Sequence, residues 1–212
     1  MTDPIKAKYN LAGPKVVESL QKRHFEAYYV STKEEALSKA MEIIPANHSV
    51  GWGGSVTIEQ IGLKEKLAAR GNTMLDRDTA KSPEEREDIM HKILSCGTFL
   101  MSSNAITEDG ELFNIDGKGN RVAALIYGPE SVVIVAGMNK VVQDMTAAYK
   151  RVRGYASPVN SQRFDLKTPC KVTGKCADCI SPDCICNQLV TTRLCKPQGR
   201  IKVILVGEDL GY

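Results

Sequence analysis

The sequence predicts an α/β fold built on an open, mainly parallel sheet, and three observations carry that prediction. Strand-like and helix-like patterns alternate from about residue 48 to 153, as they do when helical crossovers link parallel strands. Ser131–Gly137 is apolar at successive positions, which suits a strand covered by helices on both faces. Two glycine turns follow strand-like runs, at Gly53-Gly54-Ser55 and at Gly117–Asn120. Such turns let α/β folds present backbone N–H groups to an anion.

A chain of 212 residues suffices for one large domain with an appendage. We read 1–45 as an N-terminal helical segment packed on an α/β domain at 46–212, with a cysteine-rich loop at 168–187. The net charge of +3 is small and dispersed, which argues against nucleic acid. No apolar run approaches the roughly 20 residues needed to cross a bilayer. The first ten residues lack the apolar core of a secretory signal. The expectation is a cytoplasmic protein with no membrane contact.

Taken in order, Pro14–Tyr29 reads as a helix, with Val16, Val17, Leu20, Ala27 and Tyr28 on one stripe and Pro14 at its start. His24 near that stripe suits packing better than ligation. Thr32 to Glu35 is a capping box that opens a helix to about Ile44. Ser49–Gly51 reads as the end of a strand. The helix after Ser55 carries Ile58, Ile61, Leu63 and Leu67. It follows neither a Walker A loop nor a full dinucleotide fingerprint. Thr73–Leu75 is a short strand. Ser82-Pro83-Glu84-Glu85 is a second capping box, with His91 on the surface side of its helix. Thr98–Met101 is a compact strand. Past Ser131–Gly137, Asn139 is expected to cap a helix through Val152, with Lys140 at the carboxyl end of a central strand, where α/β sheets bind ligands. Gln188–Leu194 and Ile201–Val206 read as strands added late, as a hairpin.

The stretch from Ser102 to Arg121 is the least like plain core. Asn104–Thr107 and Glu111–Asp116 read as extended runs joined by an Asp109-Gly110 turn. Side chains alternate along a strand, so Asn114 and Asp116 share one face. Gly117, Gly119 and Asn120 then lead into a helix whose free N–H groups favour an anion. A solvated hairpin with a glycine-rich exit is the plainer alternative.

Five of the seven cysteines crowd one window, as Cys170-x5-Cys176-x2-Cys179-x4-Cys184-x-Cys186. In a reducing compartment such crowding points to metal rather than disulfides. Zinc and iron–sulfur ligation both suit four thiolates. Only one Cys-x2-Cys knuckle is present where a zinc ribbon has two, which favours an iron–sulfur cluster such as [4Fe–4S], with zinc as the alternative. Four places leave one cysteine spare. Cys170, Cys176, Cys179 and Cys186 are the candidate ligands and Cys184 is the spare, because Cys186 lies at the entry to the next strand.

The runs SVGWGGSVTIEQIGL, NAITEDGELFNIDGKGNRVAALIYGP, VVIVAGMNKVV and KTPCKVTGKCADCISPDCICN closely resemble the lactate-utilisation (LUD) domain family, and its single-domain branch with a C-terminal cysteine cluster. The resemblance spans about residues 15–210. It implies a fold similar to ribose-5-phosphate isomerase and CoA transferases, a parallel sheet with helices on both faces. In that superfamily glycine loops at strand ends hold phosphates, carboxylates or acyl groups. The resemblance carries those roles to Gly51, Gly53, Gly54 and Ser55, and to Asn104, Asn114, Asp116, Gly117, Gly119 and Asn120. Two departures stand out. Met101-Ser102-Ser103 replaces an expected Thr-Gly-Thr-like run, and Cys184 stands where a basic or polar residue is expected. The second leaves the fourth ligand open between Cys184 and Cys186.

The expected function is support of the oxidation of L-lactate or a related hydroxy acid. A small carboxylate would occupy the glycine-lined cleft, with Asn114 and Asp116 orienting it or Asp116 acting as base, and Lys140 neutralising charge. Other lactate-utilisation subunits are the expected partners. The rivals are a non-catalytic metabolite-binding or partner subunit with structural zinc, and an isomerase or transferase like the fold relatives.

Overall fold

A computed structural model of the protein describes residues 3–212, so the first two positions of the 1–45 segment lie outside it. The elements in chain order are α1 (Pro4–Lys22), β1 (Glu26–Val30), α2 (Lys33–Ile43), β2 (Val50–Trp52), α3 (Val56–Gln60), α4 (Leu63–Arg70) and β3 (Met74–Leu75). Next come α5 (Pro83–Ile93), β4 (Thr98–Met101), β5 (Ala105–Thr107), β6 (Leu112–Asp116), α6 (Asn120–Ile126), β7 (Ser131–Gly137), β8 (Val141–Val142) and α7 (Met145–Arg151). The chain closes with α8 (Ser157–Ser161), α9 (Pro169–Thr173), β9 (Gln188–Thr192) and β10 (Ile201–Val206).

The main sheet has strand order β1-β10-β7-β4-β2-β3, and every pairing is parallel. β7 is buried along its whole length because both its faces are covered. Val132, Ile134 and Ala136 pack with Val16 and Leu20 of α1, Ile93 of α5 and Leu125 of α6. Val133 and Val135 pack the other way, with Ala36 and Ala40 of α2, Ile58 of α3 and Leu67 of α4. This period-two division is what a parallel sheet clad on both sides requires. A second sheet, ordered β8-β5-β6-β9, packs Ala105, Phe113 and Ile115 against Ala148 and Val152. No helix among the described residues is long and apolar enough to cross a membrane.

Local signals explain most boundaries. The Thr32 hydroxyl accepts from Glu35 N and opens α2, and the Ser82 hydroxyl accepts from Glu85 N and opens α5. Gly110 sits at φ 83° in the hairpin turn between β5 and β6, where a glycine is favoured.

Four expectations fail. α1 starts ten residues early, at Pro4, and keeps Pro14 inside it. It ends where His24 takes φ 67°, and Ala27 and Tyr28 enter β1, an edge strand of the main sheet. The 1–45 segment is therefore helical only in part. The expected helix after Ser55 is broken into α3 and α4 at Gly62, which adopts φ 65°. Asn139 caps no long helix: a 3-10 turn and β8 intervene, and the Asp144 carboxylate caps α7 by accepting from Ala147 N at 2.8 Å. β9 and β10 form no hairpin. β10 lies between β1 and β7, and β9 belongs to the second sheet.

Asn72 secures the loop that leads into β2. Its amide donates to the carbonyls of Pro45, Ala46 and His48 at 3.1, 3.2 and 2.9 Å, and the residue is 6% exposed. Asn72→Ala strands these buried carbonyls and is expected to cost about 1–3 kcal/mol of stability. Urea unfolding measures it, and a loss near zero would mean that water replaces the amide.

Candidate functional site

The carboxyl ends of the main-sheet strands open into a cavity of about 390 Å³. That is where open α/β sheets bind ligands. β2 delivers Gly53, Gly54 and Ser55, β4 delivers Ser102 and Ser103, the turn after β7 delivers Lys140, and the tail after β10 delivers Gly211 and Tyr212. The opposite wall is the loop between β6 and α6, together with α8 and the 182–187 segment.

Asp116 and Arg121 organise that wall. The Asp116 carboxylate accepts from Gly119 N at 3.3 Å, Val122 N at 3.2 Å and Arg121 Nε at 3.4 Å. The N–H groups that open α6 are thus turned onto the chain's own carboxylate, favourable at a helix N-terminus, and are not left for a ligand. Arg121 donates further to Asn104 Oδ1 at 2.8 Å and Ile115 O at 2.5 Å. Burial pulls the Arg121 pKa down and Asp116 pushes it back; a guanidinium stays charged throughout. Gly53 allows this packing, since a Cβ there would sit 3.0 Å from the Arg121 side chain.

Asn104 joins the two sheets. Its N–H donates to Asn114 Oδ1 at 3.2 Å, its Oδ1 accepts from Ile115 N at 3.0 Å, and its carbonyl accepts from Arg151 at 2.7 Å. Asn114 is fully buried and outside the cavity lining. It holds Asn104 instead of facing a ligand.

Lys140 is the most unusual group. It is 3% exposed and lines the cavity. Its ammonium nitrogen lies 3.0 Å from Thr57 Oγ1 and 2.9 Å from Ser102 Oγ. Burial above all, with the nearby cations Arg151 and Arg121, lowers its pKa to about 7. The cavity lining holds five cations, Arg77, Lys118, Arg121, Lys140 and Arg163, against the carboxylates of Asp116 and Asp183. Arg77 Nε is buried without a hydrogen-bond partner among the described residues. The lining is therefore net positive, a balance that favours an anion over a cation.

Eight of the expected site residues come together here: Gly53, Gly54, Ser55, Asn104, Asp116, Gly117, Asn120 and Lys140. Gly51 does not. It lies within β2, where a Cβ would meet Ile93 at 2.7 Å, so packing explains it. Gly119 caps α6 at φ 90°, behind the lining. Arg77, Arg163, Thr57 and Tyr212 were not anticipated. Arg77 comes from a 3-10 turn and Arg163 from the turn that follows α8, and no motif marks either.

The cysteine segment adjoins this cavity. Cys170, Cys176, Cys179, Cys184 and Cys186 line one small hollow. Ser157, Cys184 and Ile185 line both that hollow and the cavity. Burial raises the Cys186 thiol to about 11. Burial also acts upward on Cys170, but hydrogen bonds with Thr168 and Ser161 leave its pKa lowered. Among the described residues, no three His, Cys, Asp or Glu side chains are gathered as a site for a single metal ion. Cys195 lies elsewhere, 1% exposed, with its thiol donating to Pro197 O. The segment is fastened to the site loop: Asn187 N donates to Asp116 O, and a Cβ on Gly117 would lie 3.3 Å from Ile185 Cα.

The LUD domain family model matches residues 13–206. The chain belongs to the LUD domain family. Membership ties it to lactate utilisation. The solved structure of a DUF162 family protein from Deinococcus radiodurans shares the LUD fold of this chain, with TM-score 0.55 at 14% identity over 95% of this chain and 98% of that one. Ribose 5 phosphate isomerase A from Neisseria gonorrhoeae is a partial likeness, with TM-score 0.34 and 19% identity over 53% of this chain and 54% of that one. No curated protein gives a significant sequence match.

The desolvated lysine makes stability depend on pH. The ordinary value is 10.5 and the folded value about 7, so between them the unfolded chain binds the extra proton and stability rises with pH. Lys140→Met removes that cost. The stability of the variant minus that of the wild type is expected to be greatest below about pH 7 and to shrink as pH rises through that window. Urea unfolding at about pH 6 and about pH 9 measures the margin; a constant margin would show that Lys140 is not desolvated.

Proposed function

We propose that this LUD domain protein supports oxidation of L-lactate or a related hydroxy acid, taking the acid's carboxylate in the cation-lined cavity and holding a [4Fe–4S] cluster on its cysteine segment. The observation that carries this reading is the shared wall. Ser157, Cys184 and Ile185 separate the thiol-lined hollow from the anion-receptive cavity. The four ligands would come from Cys170, Cys176, Cys179 and one of Cys184 or Cys186. A cluster bound there supplies one-electron transfer. The hollow itself is about 20 Å³, room for little more than one water. The exposed loop around Ile180 must therefore shift to admit a cluster.

The chain's own groups divide the remaining work. Arg121 and Arg77 suit the carboxylate, since a guanidinium fork matches it in geometry. Asp116 has its oxygens engaged by two backbone N–H groups and Arg121, so it shapes the wall. Lys140 is the lining group whose pKa is brought to about 7, and it suits the role of accepting the hydroxyl proton. Electrons would leave to other lactate-utilisation subunits, in the cytoplasm.

A non-catalytic metabolite-binding or partner subunit with structural zinc is the second reading. Zinc would draw four thiolates to within about 2.3 Å of one ion. Both readings draw on the same thiols around the hollow, and the single Cys-x2-Cys knuckle is what favours the cluster over zinc.

Protein made without oxygen is expected to contain iron and acid-labile sulfide and to show a visible absorbance that dithionite bleaches. Cys179→Ser should lose most of the iron, while Cys195→Ser should keep it. Colourless protein with stoichiometric zinc would reverse the order of the two readings.

A further inference from the structure

Lys140 is placed as a nucleophile as well as a base. Its nitrogen has two partners, Thr57 Oγ1 and Ser102 Oγ. Each hydroxyl has a carbonyl within reach of its own proton, Leu210 O at 3.3 Å from Thr57 Oγ1 and Ser103 O at 3.5 Å from Ser102 Oγ. Each is thus placed to accept from the lysine, at the shorter distances of 3.0 and 2.9 Å. A neutral amine has two N–H bonds, and the two hydroxyls take both. Its lone pair is then left without a donor. An ammonium would instead bury a third N–H that has no partner among the described residues, at a real desolvation cost. Among the described residues, the charged groups that shift Lys140 are the cations Arg151 from α7 and Arg121 from α6. An amine desolvated beside other cations is a recognised way to activate a lysine toward carbonyls.

We propose that Lys140 condenses reversibly with the ketone of a 2-oxo acid bound in the cavity, forming an imine. The amine lone pair attacks the carbonyl carbon, and the C=O electron pair moves to oxygen, which takes up a proton. The carbinolamine nitrogen loses its proton, the hydroxyl leaves as water, and C=N forms. One water is released for each bond made, and no electrons change hands. Ser102 and Thr57, already on the nitrogen, are placed to pass the protons. The acid group would lie toward Arg121 and Arg77, so this inference rests on the reading above that the cavity accepts small carboxylates.

The test is reductive trapping with pyruvate and borohydride near neutral pH, followed by intact-mass and peptide analysis. One adduct per chain is expected, on the peptide that holds Lys140, and absent from Lys140→Arg. Ser102→Ala keeps the amine and should slow trapping several-fold, which keeps the proposal open to test if the arginine variant folds poorly. No adduct, adducts scattered over surface lysines, or equal labelling of Lys140→Arg would each overturn it. Lactate has no ketone, and its binding is followed separately by calorimetry. If lactate binds but pyruvate is not trapped, the imine falls while the carboxylate site stands; if neither binds, both fall.

Discussion

The cavity depends on one ion pair, between Asp116 at the end of β6 and Arg121 in the first turn of α6. A largely buried pair of this kind adds little to stability by itself, since desolvation offsets most of the attraction. Its value here is in what it positions. The carboxylate gathers the backbone of the Gly117–Gly119 turn, and the guanidinium reaches on to Asn104 and Ile115. Asn104 in turn is held by Asn114 and Arg151. The second sheet, α6 and α7 thereby form one rigid wall facing the main sheet.

That wall is positive, and its charge acts on the floor. Lys140 projects from the turn after the central strand into a ring of hydroxyls, with Arg121 and Arg151 close enough to depress its pKa. Concentrating like charges in a desolvated space is unfavourable for the empty protein. An anion bound among these cations would relieve that energy, and its affinity would share an origin with the cost of the arrangement. Stability given up at this site is the form that preorganised binding takes.

Much of this was legible in the sequence because the relevant physics is local. The β-branched run at Ser131–Gly137, the capping serine and threonine at Ser82 and Thr32, and the Asp-Gly turn each act over a few residues. Errors arose where distant partners decide. Ala27 and Tyr28 continue the stripe of α1, yet pairing with Val203 and Ile204 draws them into β1. Ile201–Val206 reads equally well as an edge or a centre, and only the parallel ladders on both its sides settle it. At the site, alternation correctly put Asn114 and Asp116 on one face. It could not show that one carboxylate would serve its own backbone, or that Asn114 would be sealed behind Asn104. Arg77 and Arg163 arrive from irregular segments, where no period exists to read.

The cysteine segment shows why site and tail belong to one device. β9 pairs with β6 so that Gln188 lies opposite Asp116, and Asn187 donates to the Asp116 carbonyl. The chain just before this ladder must therefore cross the mouth of the cavity. Gly117 leaves room for that crossing, since any side chain there would press on Ile185. Cys184 and Cys186 flank Ile185, so the thiols are registered against the glycine turn by backbone pairing and not by loop chance. A shift in the cysteine segment would be transmitted through Asn187 and Gly117 to the Asp116–Arg121 pair, and from there to the cations that meet the anion.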